Sequence, residues 1–334
     1  MRAEKEERMS LLKSMENRSD NTTKYTGHFG QFITYLGKRF RLFAFQSDWK
    51  VLPMSAVIAA MVSMAVGKGI FQTMEGTFQG TLALSCVCIW NGFFNSIQSI
   101  CRERAVVKRE HRAGLHITSY VMSHVVYQFI LCAAQATITL LVCSVTGMKY
   151  PAVNKIEGVD MSFSAELFIT LLLVTFAADM LALMISAIVH TEMAAMTVMP
   201  FVLIVQLVFS GFIVLPQSLT DVSKLMLSKW GVAGLCIISD YNNLPAVMIW
   251  NKMSSSGDLM EIGGGVTVKD VMNIVEEQGL RDTIIQKLGQ ANARADFAST
   301  VENIVECWGN LIIFATVFIV ITVVFLEFID RDKR

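Results

Sequence analysis

The residues best equipped for chemistry lie in stretches otherwise built of hydrocarbon. Asn91, Phe94, Asn95 and Gln98 recur at i, i+3, i+4 and i+7, which places three amides and a ring on one helix face. An unsatisfied polar group in hydrocarbon costs several kcal/mol, so this stripe must face protein or a water-filled cavity. Two readings are open: a hydrogen-bonded seam between helices, or a cavity whose amides and ring meet a ligand of mixed polarity. Asp179 is an acid in the middle of another apolar stretch. A lone charge there is costly, which makes it either a functional acid or one that is protonated or bonded to a neighbouring helix. His124 is the nearest titratable candidate to partner it, but no nucleophile motif accompanies the pair, so enzyme chemistry has little to stand on.

A third feature is the run Cys101 to Arg112, which packs Arg102, Glu103, Arg104, Lys108, Arg109, Glu110 and Arg112 into one turn and helix. Charges of both signs suit docking onto a protein as well as onto lipid headgroups. The sequence Phe209-Ser210-Gly211-Phe212-Ile213-Val214-Leu215-Pro216 would end a helix sharply, and Phe212 and Ile213 would cap a cavity from its far side. The seven cysteines sit mostly in apolar blocks and no histidine cluster accompanies them, so no metal site is read. Cys236 and Cys307 are either two free thiols or a disulfide outside the membrane.

The elements that must position these residues are long and apolar. Of the 334 residues 53% are hydrophobic and 17% charged, against about 25% charge in soluble domains. Crossing the hydrocarbon takes about 20 apolar residues per helix. Six stretches qualify or nearly do: Val51 to Val66, Phe78 to Ile100, Ile117 to Val145, Ala165 to Val189, Ala194 to Val214 and Trp308 to Phe328. The fold class is therefore an all-α polytopic membrane protein with six transmembrane helices. Residues 1–27 read as a flexible cytoplasmic lead-in without a signal peptide. Residues 28–46 read as an amphipathic helix at the membrane interface, with Phe29, Phe32, Ile33, Leu36, Phe40 and Phe43 on one side and Lys38, Arg39 and Arg41 between them.

The membrane domain spans 51–329, and 330–334 is a tail. Between the last two spans lies 215–307, expected outside the membrane as short helices, with Leu225 to Met248 as a re-entrant stretch and Thr267-Val268-Lys269-Asp270 as a helix start. Basic residues near span ends set the orientation. Lys38, Arg39, Arg41, Lys50, the basic residues of 102–112, Arg331, Lys333 and Arg334 outnumber those of the other side, Lys68, Lys149, Lys155, Lys224, Lys229 and Arg294. Both termini are thus expected in the cytoplasm of a multi-pass protein of the cell membrane. A net charge of zero offers no field for nucleic acid, and the chain lacks the G-x-x-x-x-G-K-[ST] loop that cradles ATP phosphates.

Taken in order, these pieces resemble a known family. An amphipathic basic helix is followed by Glu103-Arg104…Arg109-Glu110, Gly114 and Ser119-Tyr120-Val121. Then come Phe209-Ser210-Gly211-Phe212, Leu227-Ser228-Lys229-Trp230-Gly231, Asp240-Tyr241-Asn242 and Trp308-Gly309-Asn310. From Phe29 to Phe328 the chain resembles the ABC-2 type permease, in particular the G-type (White-like) transmembrane domain of bacterial members that carry ATPase and forkhead-associated domains. The resemblance implies an exporter of amphipathic, lipid-like, peptide or drug-like cargo, with a non-transporting immunity or sensing subunit as the alternative. It implies a second permease copy, a nucleotide-binding partner that holds ATP and magnesium in a separate chain or a removed domain, and surrounding lipid. Helix 28–46 would be the connecting helix. Glu103, Arg104, Arg109 and Glu110 would receive the ATPase motion. Asn91, Phe94, Asn95 and Gln98 would line the central cavity opposite Ile204, Leu207 and Phe209. Phe212 and Ile213 would form the plug above it, where many members have leucines.

Overall fold

The computed structural model describes residues 27–45, 48–148, 161–211, 220–257, 261–263, 265–289 and 294–328. The expected lead-in 1–27, apart from Gly27, the expected tail 330–334, and Phe212 and Ile213, expected as a plug, lie outside them. The chain is nearly all helical. Helix α1 (His28–Phe45) is followed by α2 (Val51–Val66), α3 (Met74–Ser96), α4 (Ser99–Arg112), α5 (Ile117–Val145), α6 (Phe163–Ile188) and α7 (Glu192–Val208), and α1 packs on α5. After a one-turn helix at Thr220–Ser223 come α8 (Leu227–Ile238), α9 (Leu244–Ser256), the strands β1 (Glu261–Gly263) and β2 (Val266–Thr267), α10 (Val268–Glu277), α11 (Arg281–Gly289) and α12 (Val301–Glu327).

Among the described residues, four helical units are long and apolar enough to cross a membrane: Met74–Arg112, Ile117–Val145, Phe163–Ile188 and Val301–Glu327. Helices α2, α7 and α8 are apolar but shorter. The expected second span differs in one respect. Its helix breaks at Ile97–Gln98, and α4 continues it almost directly, so Gln98 precedes the first turn of α4.

Helix α6 is the hub, mostly apolar and buried along its length, with Glu166, Thr170 and Asp179 among its few polar side chains. It packs on α3, α5, α8 and α12. Gly92 of α3 explains how close α3 comes. A Cβ there would lie 2.4 Å from the carbonyl oxygen of Thr175 and 2.7 Å from the backbone nitrogen of Asp179. Only a glycine permits that approach. Helix α12 is pinned to α6 by the Trp308 indole, which donates to the Thr170 hydroxyl at 2.9 Å. Helix α8 is short but almost wholly buried among α3, α6 and α12. It fills the first half of the stretch read as re-entrant, and a turn at Ser239–Asn243 leads into α9. Cys236 and Cys307 are buried free thiols.

Thr267 starts α10 with a reciprocal capping box to Asp270, as the sequence predicts. The antiparallel pair β1–β2 just before it was not foreseen. Its run Gly263-Gly264-Gly265 reads as a loop because glycine offers strands no side chain to pack.

Candidate functional site

Four helices bring polar side chains together inside the apolar bundle. The Asn95 and Gln135 amides exchange hydrogen bonds: Asn95 Nδ2 donates to Gln135 Oε1 at 2.8 Å, and Gln135 Nε2 donates back to Asn95 Oδ1 at 3.0 Å. Asn95 Nδ2 also reaches Asp179 Oδ2 at 3.5 Å, and the Cys132 thiol donates to the same oxygen at 3.3 Å. Asp179 is fully buried. Gln128 donates to the Ser96 hydroxyl at 2.7 Å, and Asn91 donates to Ser55 of α2 at 3.0 Å. Each bond satisfies a group that hydrocarbon would leave unpaired.

The stripe on α3 therefore divides. Asn91 is buried against α2, and Asn95 ties α3 to α5 and α6. Phe94 is 39% exposed and stands beside open space. Two cavities meet at this ring. One, of about 180 Å³, is polar and lined by Arg39, Asn95, Gln98, Arg102, His124 and Gln128 among others. The other, of about 690 Å³, is apolar and lined by Ile58, Trp90, Met199, Leu203, Ile204 and Leu207 among others. Phe94 lines both. Ile204 and Leu207 line the apolar cavity together with Phe94 alone of the stripe, and Phe209 lines neither cavity.

Below the bundle, α1 lies against α4 and α5. Arg39 donates to Glu103 at 2.6 Å and to the Tyr120 hydroxyl at 3.2 Å, and it also contacts His124 Nε2. Lys38 stands 3.7 Å from the other Glu103 oxygen. Tyr35 donates its hydroxyl to Glu110 at 2.5 Å. Burial raises the Tyr35 pKa well above its ordinary value, and the Glu110 hydrogen bond and charge add to the rise. Arg104 donates to the Ala187 carbonyl at 2.7 Å, at the C-terminal end of α6, where a cation also suits the helix dipole. Arg109 is exposed. His124 and Asp179 do not pair: His124 meets Arg39, and Asp179 meets Asn95 and Cys132.

Residues 30–238 match the sequence model of the ABC-2 type transporter membrane family. The chain belongs to this family. It is also similar to the ABC transporter ATP-binding/permease protein Rv1747 of Mycobacterium tuberculosis, with 27% identity over 222 residues. That stretch covers 63% of this chain and 25% of the relative, so the chain corresponds to about a quarter of that protein.

The four charged residues assigned to coupling in this ABC-2 domain are not equivalent. Glu103 and Glu110 are engaged with α1, Arg104 caps α6, and Arg109 points outward. In the sequence Arg39 is only a basic residue of an amphipathic helix, whereas in the fold it reaches three partners across two helices. Gln128 and Gln135 were also missed. Their signal was present: His124, Gln128 and Gln135 fall at i, i+4 and i+11 on α5, a second polar stripe readable by the rule that found the first.

Proposed function

We propose that this ABC-2 membrane domain is the permease part of an ATP-driven exporter that moves amphipathic cargo by alternating access. A nucleotide-binding partner, as a separate chain or a domain, supplies ATP and magnesium, and a second permease copy completes the pathway. Six crossings would be made by the four long units together with α2 and α7, whose 16 and 17 residues suffice with snorkelling ends. The protein would sit in the cell membrane with both termini in the cytoplasm, and Phe212 and Ile213 would close the outer exit.

One observation carries this reading. The cavity-lining Phe94, Asn95 and Gln98 and the charged elbow belong to a nearly continuous helical unit, Met74–Arg112. Arg102 and Glu103 of α4 line the same cavity as Gln98. A push on α4 is therefore felt at the cavity within one helical turn. Differential binding of ATP in the partner to one arrangement of α4 would shift the cavity between its two openings.

The test is to purify the chain with candidate nucleotide-binding ATPases and to measure hydrolysis in vesicles. The reading expects cargo-stimulated hydrolysis that Glu103→Ala or Glu110→Ala uncouples. If both variants leave stimulation and transport unchanged, α4 does not couple. If the chain never alters the ATPase, the protein is a binding subunit instead.

A further inference from the structure

Behind the wall of the polar cavity lie polar atoms that its own side chains leave unpaired. Three of its lining residues keep a buried polar atom without a hydrogen-bond partner: Arg39 Nε, His124 Nδ1 and Gln128 Oε1. The first two are donors. An arginine can only donate, so the contact between Arg39 Nη2 and His124 Nε2 makes Nε2 the acceptor and places the ring hydrogen on Nδ1. Buried polar atoms are normally paired, and a cluster of exceptions calls for an explanation.

Charge points the same way. Arg39 and Arg102 line the cavity against a single carboxylate, Glu103. Lys38 already holds the second oxygen of Glu103. Arg39 could therefore turn toward a ligand without leaving Glu103 unpaired. Arg39 and Arg102 outnumber the one lining carboxylate, and Lys38 beside Glu103 adds to the positive side, an excess that a phosphodiester would reduce. Guanidinium is the side chain whose planar fork best matches phosphate oxygens.

The third observation is what adjoins it. Phe94 is the shared wall between this cationic cavity and the apolar one of about 690 Å³. A molecule that placed its charge beside Arg39 and Arg102 would have its hydrocarbon at Phe94, Trp90 and Ile204. Neither cavity alone would take such a molecule.

From this juxtaposition we propose that the two cavities form one bipartite site for an anionic lipid, with its phosphate between Arg39 and Arg102 and its acyl chains in the groove past Phe94. This rests on the permease reading and names its substrate class. Because Arg39 and Glu103 also join α1 to α4, headgroup arrival would be felt at the elbow.

Binding can be read without ATP or transport, which separates this proposal from the permease reading. The purified full chain is titrated, with native mass spectrometry as readout, with phosphatidylglycerol, a neutral diacyl glycolipid and soluble glycerol phosphate. The expected result is saturable retention of phosphatidylglycerol. Arg102→Gln should weaken it about tenfold, the worth of a charge-assisted hydrogen bond, and spare the glycolipid. Ile204→Gln should weaken both lipids. Both positions are exposed, so these variants should fold. Arg112→Gln, an exposed charge on the same helix outside the cavity, should change nothing. The proposal is overturned by equal retention of neutral and anionic lipid, or by Arg112→Gln matching Arg102→Gln, which would mark plain surface attraction. It is equally overturned by glycerol phosphate binding as tightly as the lipid, or by no saturable binding. Intact lipid binding with no ATP-driven movement would sink the exporter reading alone.

Discussion

Arg39 of α1 and Glu103 of α4 form a 2.6 Å ion pair with side chains only 10% and 19% exposed. The pair joins two helices 64 residues apart in sequence. Being largely shielded, it is worth more than a surface salt bridge, and removing one partner leaves a charge poorly served. Glu103→Gln should therefore destabilise the elbow by about 1.5–3 kcal/mol, the range for a hydrogen bond to a charged group. Faster hydrogen exchange confined to α1 and α4 would report it. Arg39→Lys should not rescue the contact, because an ammonium lacks the fork that serves Glu103, Tyr120 and His124 together.

Tyr35 and Glu110 give the elbow an alkaline pH dependence. The Tyr35 pKa is raised above its ordinary 10.0. Below pH 10 the hydroxyl is protonated whether folded or unfolded, and its contribution to stability is constant. Above pH 10 the unfolded chain loses the proton first, so the folded state binds more protons and stability falls as pH rises. Thermal unfolding of Tyr35→Phe should lie below wild type at pH 8, and the gap should narrow above pH 10. A gap that widens would contradict the assignment.

Gly92 sets the spacing of α3 and α6. Gly92→Ala places a methyl group within 2.4 Å of the Thr175 carbonyl oxygen, against backbone that cannot swing aside. Overpacking of this kind costs about 1–3 kcal/mol. The same displacement pulls Asn95 away from Asp179. Lowered thermal stability in detergent, with loss of the native fold at modest heating, is the expected outcome.

The α3 stripe makes separable predictions. Asn95→Ala leaves Gln135 and Asp179 short of partners and should cost about 1–3 kcal/mol in stability. Gln98→Ala and Phe94→Ala border cavity space and should alter the cargo profile while thermal stability stays within about 0.5 kcal/mol of wild type, as for changes away from structural contacts. Equal destabilisation by all three would mark the whole stripe as a seam.

Much of this arrangement was legible before any coordinates. The boundaries of α2 and α5 coincide with the apolar blocks Val51 to Val66 and Ile117 to Val145, because hydrophobicity ends where Gly67 and Gly147, both at positive φ, close the last turns. The α10 start was equally plain, since Thr267 and Asp270 act locally. What was not legible depends on distant parts of the chain meeting. Spacing places Asn91 and Asn95 on one face, but only the close approach allowed by Gly92 turns Asn95 toward Asp179. Arg39 read as an interfacial charge because its partners lie 64 to 85 residues away. The β1–β2 pair was hidden by its glycines, and the break at Gln98 carries neither glycine nor proline to announce it.

The central claim is that energy from a nucleotide-binding partner reaches the cavity through α4. Its most direct test is ATP-dependent movement of a fluorescent amphipath across vesicles that contain the chain and its ATPase. The account predicts flux that requires both proteins and ATP, and that Glu110→Ala abolishes while the partner still hydrolyses ATP. Flux at the wild-type rate in Glu110→Ala and Glu103→Ala alike, or an ATPase indifferent to the chain, would contradict it.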